Sequence, residues 1–261
     1  MRVFSHTPSN TEIVCALGCA DRLVGVDADS DYPPAVVAAL PKAGRDLDLD
    51  ADIVRQLAPD VVLTSNTVPG HEKVVARLQA AGLKTLVSDP TSLVELYANI
   101  ERIADLLEVP ARGVRLVAEL RAAMPAVEPR GLRPRVLVEW WPKPVIAPAQ
   151  HSWVTDMIRL AGGCNPWANI DAKSLPMEHD TARAAMPDLI VMSWCGVKQE
   201  KYRPEVVRSR PGWDAVPAVA NDRILAVSEA FLGRPGPRLV EGYRRLRTAI
   251  DAVWDAERAA T

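Results

Sequence analysis

The chain has 261 residues, of which 25% are charged, and a formal net charge of −2, so it lacks the basic footprint of a nucleic-acid binder. Hydrophobic residues make up 48%, an ordinary globular share, and no apolar run approaches the ~20 residues of a membrane helix. Such a length allows one large or two small domains. In chain order, Arg2–Ser5 reads as a short apolar strand, with no signal peptide ahead of it. The chain is therefore expected to be cytoplasmic if Met1 is the native start, and periplasmic or extracytoplasmic if a leader was removed. Ser9 and Glu12 have capping-box spacing, which predicts a helix from about Asn10 to Gly18. Asp21–Val26 is a second strand, Asp29–Pro34 a turn, and Pro34–Leu40 a short helix. Asp50–Leu57 is a helix, Asp60–Ser65 a strand, His71–Ala81 a helix ended by Gly82, Lys84–Asp89 a strand and Ser92–Glu108 a helix. Short apolar strands alternating with helices indicate a parallel sheet covered on both faces. Ligands of such sheets sit beyond the carboxyl ends of the strands, which here carry Ser5, His6, Ser65, Asn66, Ser88 and Asp89.

Pro110–Val127 reads as one long helix. Pro110 suits its first position, Val114, Val117, Leu120 and Met124 form an apolar stripe, and Pro125 and Pro129 close it. Gly113 would be its weak point. Beyond it, Arg135–Trp141 is a strand ending in two tryptophans, and Trp153–Ala161 is a helix closed by Gly162 and Gly163. Asp180–Ser193 then repeats Asp52–Ser65: Asp, Arg, Pro, Asp and Ser coincide at five of fourteen positions, all 128 residues apart. Both segments read as a helix, a Pro-Asp turn and a strand ending in Ser. Lys84–Asp89 has a looser echo in Arg223–Glu229, and a helix over Pro237–Trp254 ends the chain. The expected fold is α/β, with two similar lobes, each built on a mostly parallel sheet. One long helix would join them, limit them to small rocking, and leave a cleft between them. The expected boundaries are 1–109, a linker at 110–128, and 129–261.

Five of the seven tryptophans fall between Trp140 and Trp194. The first lobe would offer a polar wall to the cleft (His6, Asp29, Ser65, Asp89). The second would offer an aromatic one (Trp140, Trp141, Trp167, Trp194, Phe231), with Glu139, His151 and Glu229 nearby. Trp140 and Trp141 are adjacent on a strand, so one is expected to be buried and the other free. The four histidines, His6, His71, His151 and His179, fall in loops or at helix starts. Three of them with a carboxylate would make a zinc or manganese site, but their separations match no local motif. Cys15, Cys19, Cys164 and Cys195 form no CxxC pair, so neither a metal site nor a disulfide framework is implied. No GxSxG elbow, P-loop or GxGxxG is present. Glu139 with His151 or Glu229 is the one acid–base set an enzyme could use. Glu72, Glu178 and Asp180 lie in or beside first helical turns, where the dipole favours carboxylates. One acidic knob per lobe could also dock on a basic partner.

Thr7–Val26, Asp29–Pro34, Leu57–Ser65, Leu160–Asn169 and Met186–Ser193 together resemble the substrate-binding proteins of ABC importers for cobalamin and iron chelates. The resemblance covers nearly the whole chain. It implies a monomeric binding module without turnover or intrinsic cofactor, which takes a corrinoid or related metal chelate in the cleft and delivers it to the importer's transmembrane subunits. It also implies one docking carboxylate per lobe, at Glu72 and at Glu178 or Asp180. Cobalamin binders of this family stack aromatics on the ligand from both lobes. The matching first-lobe positions here are Asp29, Asp46, Ser65 and Val87, while Trp167 in the second lobe keeps its ring. A smaller or more polar ligand, with a cationic or hydrogen-bonding face toward Asp29 and Asp46, fits as well. Trp167 is expected to serve binding with little part in stability.

Overall fold

The structure, a computed structural model, describes residues 1–259. It divides into two compact units, Met1–Pro90 with Val94–Glu119, and Thr91–Leu93 with Leu120–Thr261. The first unit contains, in order, β1 (Val3–Ser5), α1 (Pro8–Ala16), β2 (Leu23–Val26), α2 (Pro34–Val37), β3 (Gly44–Arg45), β4 (Asp48–Leu49), α3 (Ala51–Gln56), β5 (Val61–Ser65), α4 (His71–Ala80), β6 (Thr85–Ser88), and most of α5 (Leu93–Leu106) and of α6 (Pro110–Ala123), whose last turn falls in the second unit. Its sheet has the order β2-β1-β5-β6 and is parallel throughout. Every residue of β1 and β5 is buried, as expected of central parallel strands covered on both faces. Phe4, Leu49, Val54, Val62, Val74 and Leu78 form a core cluster against this sheet. β3 and β4 make a separate two-stranded antiparallel ribbon whose turn carries Asp46.

Several boundaries differ from the sequence reading for local reasons. The first helix starts at Pro8, two residues before the position the capping box suggested, and Ser9 and Glu12 are buried within it. Thr7 precedes it with φ 80° and makes no side-chain cap hydrogen bond. The cap of α3 is real: Asp50 accepts from the amides of Asp52 at 2.9 Å and Ile53 at 3.1 Å. α6 stops at Ala123, because Pro125 cannot continue it. Val117 and Leu120 of α6, and Met124 just past its end, are buried as the stripe requires, but Val114 is 60% exposed. Gly113 is no hinge. A Cβ there would lie 2.5 Å from Ala104 Cβ, so glycine is what lets α6 approach α5 so closely.

The second unit contains β7 (Val136–Glu139), β8 (Trp141–Pro142), β9 (Val145–Pro148), α7 (Trp153–Leu160), β10 (Ser174–Met177), α8 (His179–Ala184), β11 (Leu189–Met192), α9 (Glu205–Arg208), α10 (Pro217–Ala220), β12 (Ile224–Ala226) and α11 (Leu239–Ala259). β12-β11-β7 form a parallel sheet. β10-β9-β8 form an antiparallel one, which the sequence reading lacked. The internal repeat is structural. Asp60 accepts the Arg2 amide at 2.6 Å and Asp188 the Arg135 amide at 2.8 Å, so each Pro-Asp carboxylate anchors the start of the neighbouring strand. The registers correspond, Val3 opposite Val61 and Val136 opposite Leu189. Ala58 and Met186 both adopt positive φ, 46° and 45°. Among the described residues, no helix is long and apolar enough to cross a membrane.

Candidate functional site

At the carboxyl end of the first unit's sheet, buried polar groups converge. His6 follows β1 and is fully buried. Its Nδ1 lies 2.7 Å from Thr64 Oγ1 on β5. Its Nε2 lies 2.9 Å from the Asp46 carbonyl oxygen and 3.0 Å from the Asp46 carboxylate. His71 opens α4, is 1% exposed, and places Nε2 2.9 and 3.0 Å from the two Asp46 carboxylate oxygens. The two imidazoles meet edge to face with centroids 5.2 Å apart. Burial works against ionisation of Asp46, but hydrogen bonds from His6 and His71 hold its carboxyl well below the usual range. Asp29 fixes the turn behind it, accepting from the Asp46 amide at 2.9 Å and pairing with Arg45.

A second network braces this one. Asp27, fully buried, accepts from the amides of Thr7 at 3.0 Å, Asp29 at 2.9 Å and Ser30 at 3.0 Å, and from the Ser30 hydroxyl at 2.7 Å. Burial raises its pKa despite the Ser30 hydrogen bond. The bond from Thr7 helps hold that β-branched residue at a positive φ it would otherwise avoid. Asn10 donates to the carbonyls of His6 at 3.0 Å and Thr64 at 3.2 Å. Ser65 is buried with Oγ 2.9 Å from Thr67 Oγ1, and Asn66 follows it, half-buried. The sequence reading had His6, Asp29, Asp46 and Ser65 among its candidates, and His71 as one of four histidines, but it did not single out Asp27. A lone Asp after a strand gives no sign that four donors will fold onto it.

In the second unit the strand ends differ. Glu139, at the end of β7, is fully buried and paired bidentately with Arg210, through Arg210 Nη1 and, at 3.0 Å, Nη2. Trp194 Nε1 approaches the same carboxylate at 3.5 Å, and Arg210 lies over Trp213, 4.6 Å from the ring centroid. Glu139 is thus held by a cation. Exposed His151 pairs instead with Asp171 at 2.6 Å, and Glu229 with Arg234 at 3.1 Å. The acid–base set the sequence offered is divided among three separate pairs.

Of the aromatic wall, Trp167 and Trp194 belong to the unit's core, 8% and 6% exposed. Trp141 is 41% exposed, and Trp140 is half-buried with its ring 6.2 Å from that of Trp153. Phe231 has the guanidinium of Arg238 at 4.9 Å from its ring centroid and that of Arg245 at 5.1 Å. Two buried polar atoms at these strand ends, Trp140 Nε1 and Ser193 Oγ, have no hydrogen-bond partner among the described residues. Ser193 is the repeat partner of Ser65, a signal in the sequence that could have placed it among the candidates. Glu72 is exposed and accepts from the Gly70 amide at 2.8 Å. Backbone hydrogen bonds from its own amide and from Gly70 hold its pKa below the usual range. Glu178 caps α8 without a side-chain bond, and exposed Asp180 pairs with Arg183 at 3.2 Å.

Two α/β units, each gathering polar side chains at the carboxyl ends of a parallel sheet, define a binding protein for small molecules. The chain belongs to the periplasmic binding protein family, which matches residues 3–230. It is 28% identical to the ABC transporter substrate-binding lipoprotein YvrC of Bacillus subtilis over 95% of this chain and 79% of that protein. It is 25% identical to the vitamin B12-binding protein of Vibrio cholerae, over 95% and 88% respectively. The periplasmic heme-binding protein RhuT from Roseiflexus sp. RS-1 superposes with a TM-score of 0.78 at 27% identity, covering 97% of this chain and 98% of that one. The protein is a substrate-binding protein of the ABC importer type, and its family is one of extracytoplasmic binding proteins, not enzymes.

Proposed function

We propose that the cargo is a tetrapyrrole-type metal chelate, with a corrinoid the first choice. One observation carries this reading: a vitamin B12-binding relative aligns with 95% of the chain. A heme-binding structure that covers 97% of it agrees. The second unit's strand ends support it. The unpartnered Trp140 N–H and Ser193 hydroxyl are buried polar groups that call for a ligand, and half-exposed Trp141 offers a ring for stacking. The first unit contributes no aromatic at Asp29, Asp46 or Ser65, so contacts there would be hydrogen-bonded or ionic. Glu72, together with Glu178 or Asp180, would meet the importer's transmembrane subunits. Glu178 is favoured because the Asp180 carboxylate is engaged by Arg183.

Tryptophan fluorescence titrated with cobalamin, cobinamide and hemin tests the cargo. A saturable quench with at least one of the three is expected. If none changes the emission at high ligand, the tetrapyrrole reading falls.

A further inference from the structure

We propose that His6, Asp46 and His71 form a binding site for a divalent cation of the zinc class. It lies wholly within the first unit and does not depend on the nature of the cargo. Three residues from separate elements, following β1, in the β3–β4 turn and opening α4, offer ligand atoms that all lie within 4.8 Å of one another. Both rings are buried and aim Nε2 at one carboxylate. The side chain of Asp46 is 26% exposed, which leaves an entry path.

The spacing needs only a small adjustment. In a tetrahedral zinc site with bonds of ~2.1 Å, ligand atoms are about 3.4 Å apart. The N···O separations here are 2.9–3.0 Å, so these edges would open by a few tenths of an ångström, and all three ligand atoms already lie within 4.8 Å of one another. The ribbon that carries Asp46 is two residues long on each side and can give by that much. Two imidazoles with a carboxylate suit zinc, cobalt or nickel. Calcium and magnesium, which need oxygen shells, are disfavoured.

The surroundings fit a bound cation. With Nε2 on the metal, the His6 Nδ1–H can donate to Thr64 Oγ1, 2.7 Å away, the outer-sphere bond that orients metal-bound histidines. His71 Nδ1 now accepts a long 3.3 Å bond from the Val68 amide. Val68 lies in an exposed turn, and that turn must release the bond on metal uptake. Asp29 holds the Asp46 backbone in place through its amide. Three protein ligands leave a coordination position for water or an anionic donor, as in open zinc sites.

The test uses the metal alone, so it succeeds or fails independently of any chelate. Chelator-treated protein carrying Cys164→Ser and Cys195→Ser, which removes the two exposed thiols, is titrated with cobalt and zinc. One equivalent is expected, with cobalt d–d bands and no thiolate charge transfer. His71→Ala and Asp46→Asn should each weaken binding by more than tenfold, since even outer-sphere partners are worth about 10–100-fold. His151→Ala, which removes the exposed surface pair with Asp171, should leave uptake unchanged. Circular dichroism establishes that each variant is folded. The proposal is overturned if no metal is taken up, if folded His71→Ala and Asp46→Asn bind as well as the parent, or if His151→Ala alone abolishes binding. In those cases the trio is a hydrogen-bonded clamp and nothing more.

Discussion

Trp167 belongs to the core cluster that contains Leu137, Met177 and Trp194, and only 8% of its surface is exposed. Its truncation should therefore cost stability, contrary to the small part in stability that the resemblance led us to expect. Trp167→Ala should destabilise the protein by about 3 kcal/mol or more, the usual cost of emptying a buried aromatic site, read from the urea-unfolding midpoint. A loss below ~1 kcal/mol would show that the ring is not packing the core. Arg210 presents a different kind of dependence. Arg210→Met strands the fully buried Glu139 carboxylate, which should cost about 3–5 kcal/mol, while the double replacement with Glu139→Leu should recover most of that. A single variant as stable as its parent would argue against this pairing. From sequence, Glu139 looked available for proton transfer because Arg210 lies 71 residues away, and no local pattern announces a partner at that distance.

At the level of the element, α5 and α6 illustrate how propensity and packing can oppose each other. Gly113→Ala would gain about 1 kcal/mol of helix propensity. The added methyl, however, would sit 2.5 Å from Ala104 Cβ, and overpacking typically costs 1–3 kcal/mol. Thermal unfolding should therefore show a net loss, and a gain in Tm would mean that the two helices are free to separate. The sequence showed where α6 begins, because proline chemistry is local, but it carried the helix on to Val127, past the Pro125 that stops it at Ala123. It did not show why glycine was needed, because the reason lies in another helix. The β8–β10 sheet was hidden for a related reason. Its central strand lies between Pro144 and Pro148, and prolines read as loop unless a hairpin partner is known. His6, Asp29 and Asp46 were legible as polar residues beside a strand or in a turn. Their convergence with His71 depends on a ribbon only two residues wide.

For the molecule as a whole, the importer reading separates capture from delivery. Glu72→Ala removes an exposed carboxylate that accepts a hydrogen bond from the Gly70 amide. It should leave the fluorescence titration unchanged and lower the ATPase stimulation of a reconstituted importer at saturating cargo. Loss of cargo affinity in this variant would remove Glu72 from the docking role. The alternation of strands and helices was readable for the two parallel sheets, because hydrophobic period and turn residues are written locally.

The matched backbone of the two units carries one more consequence. Ala58 and Met186, 128 positions apart, both occupy the left-handed region, and each stands before a Pro-Asp whose carboxylate receives the first strand's amide. Neither residue is glycine, so the conformation is mildly costly at both places. Glu108 after α5 and Asp222 after α10 take the same region, a common way to end a helix. The two corners add to it a proline that keeps the next step from continuing the helix and an aspartate that ties that step to the neighbouring strand. The corner thus works as a reusable joint, and the chemistry at the far strand ends, histidine and aspartate in one unit and tryptophan and arginine in the other, varies without disturbing it.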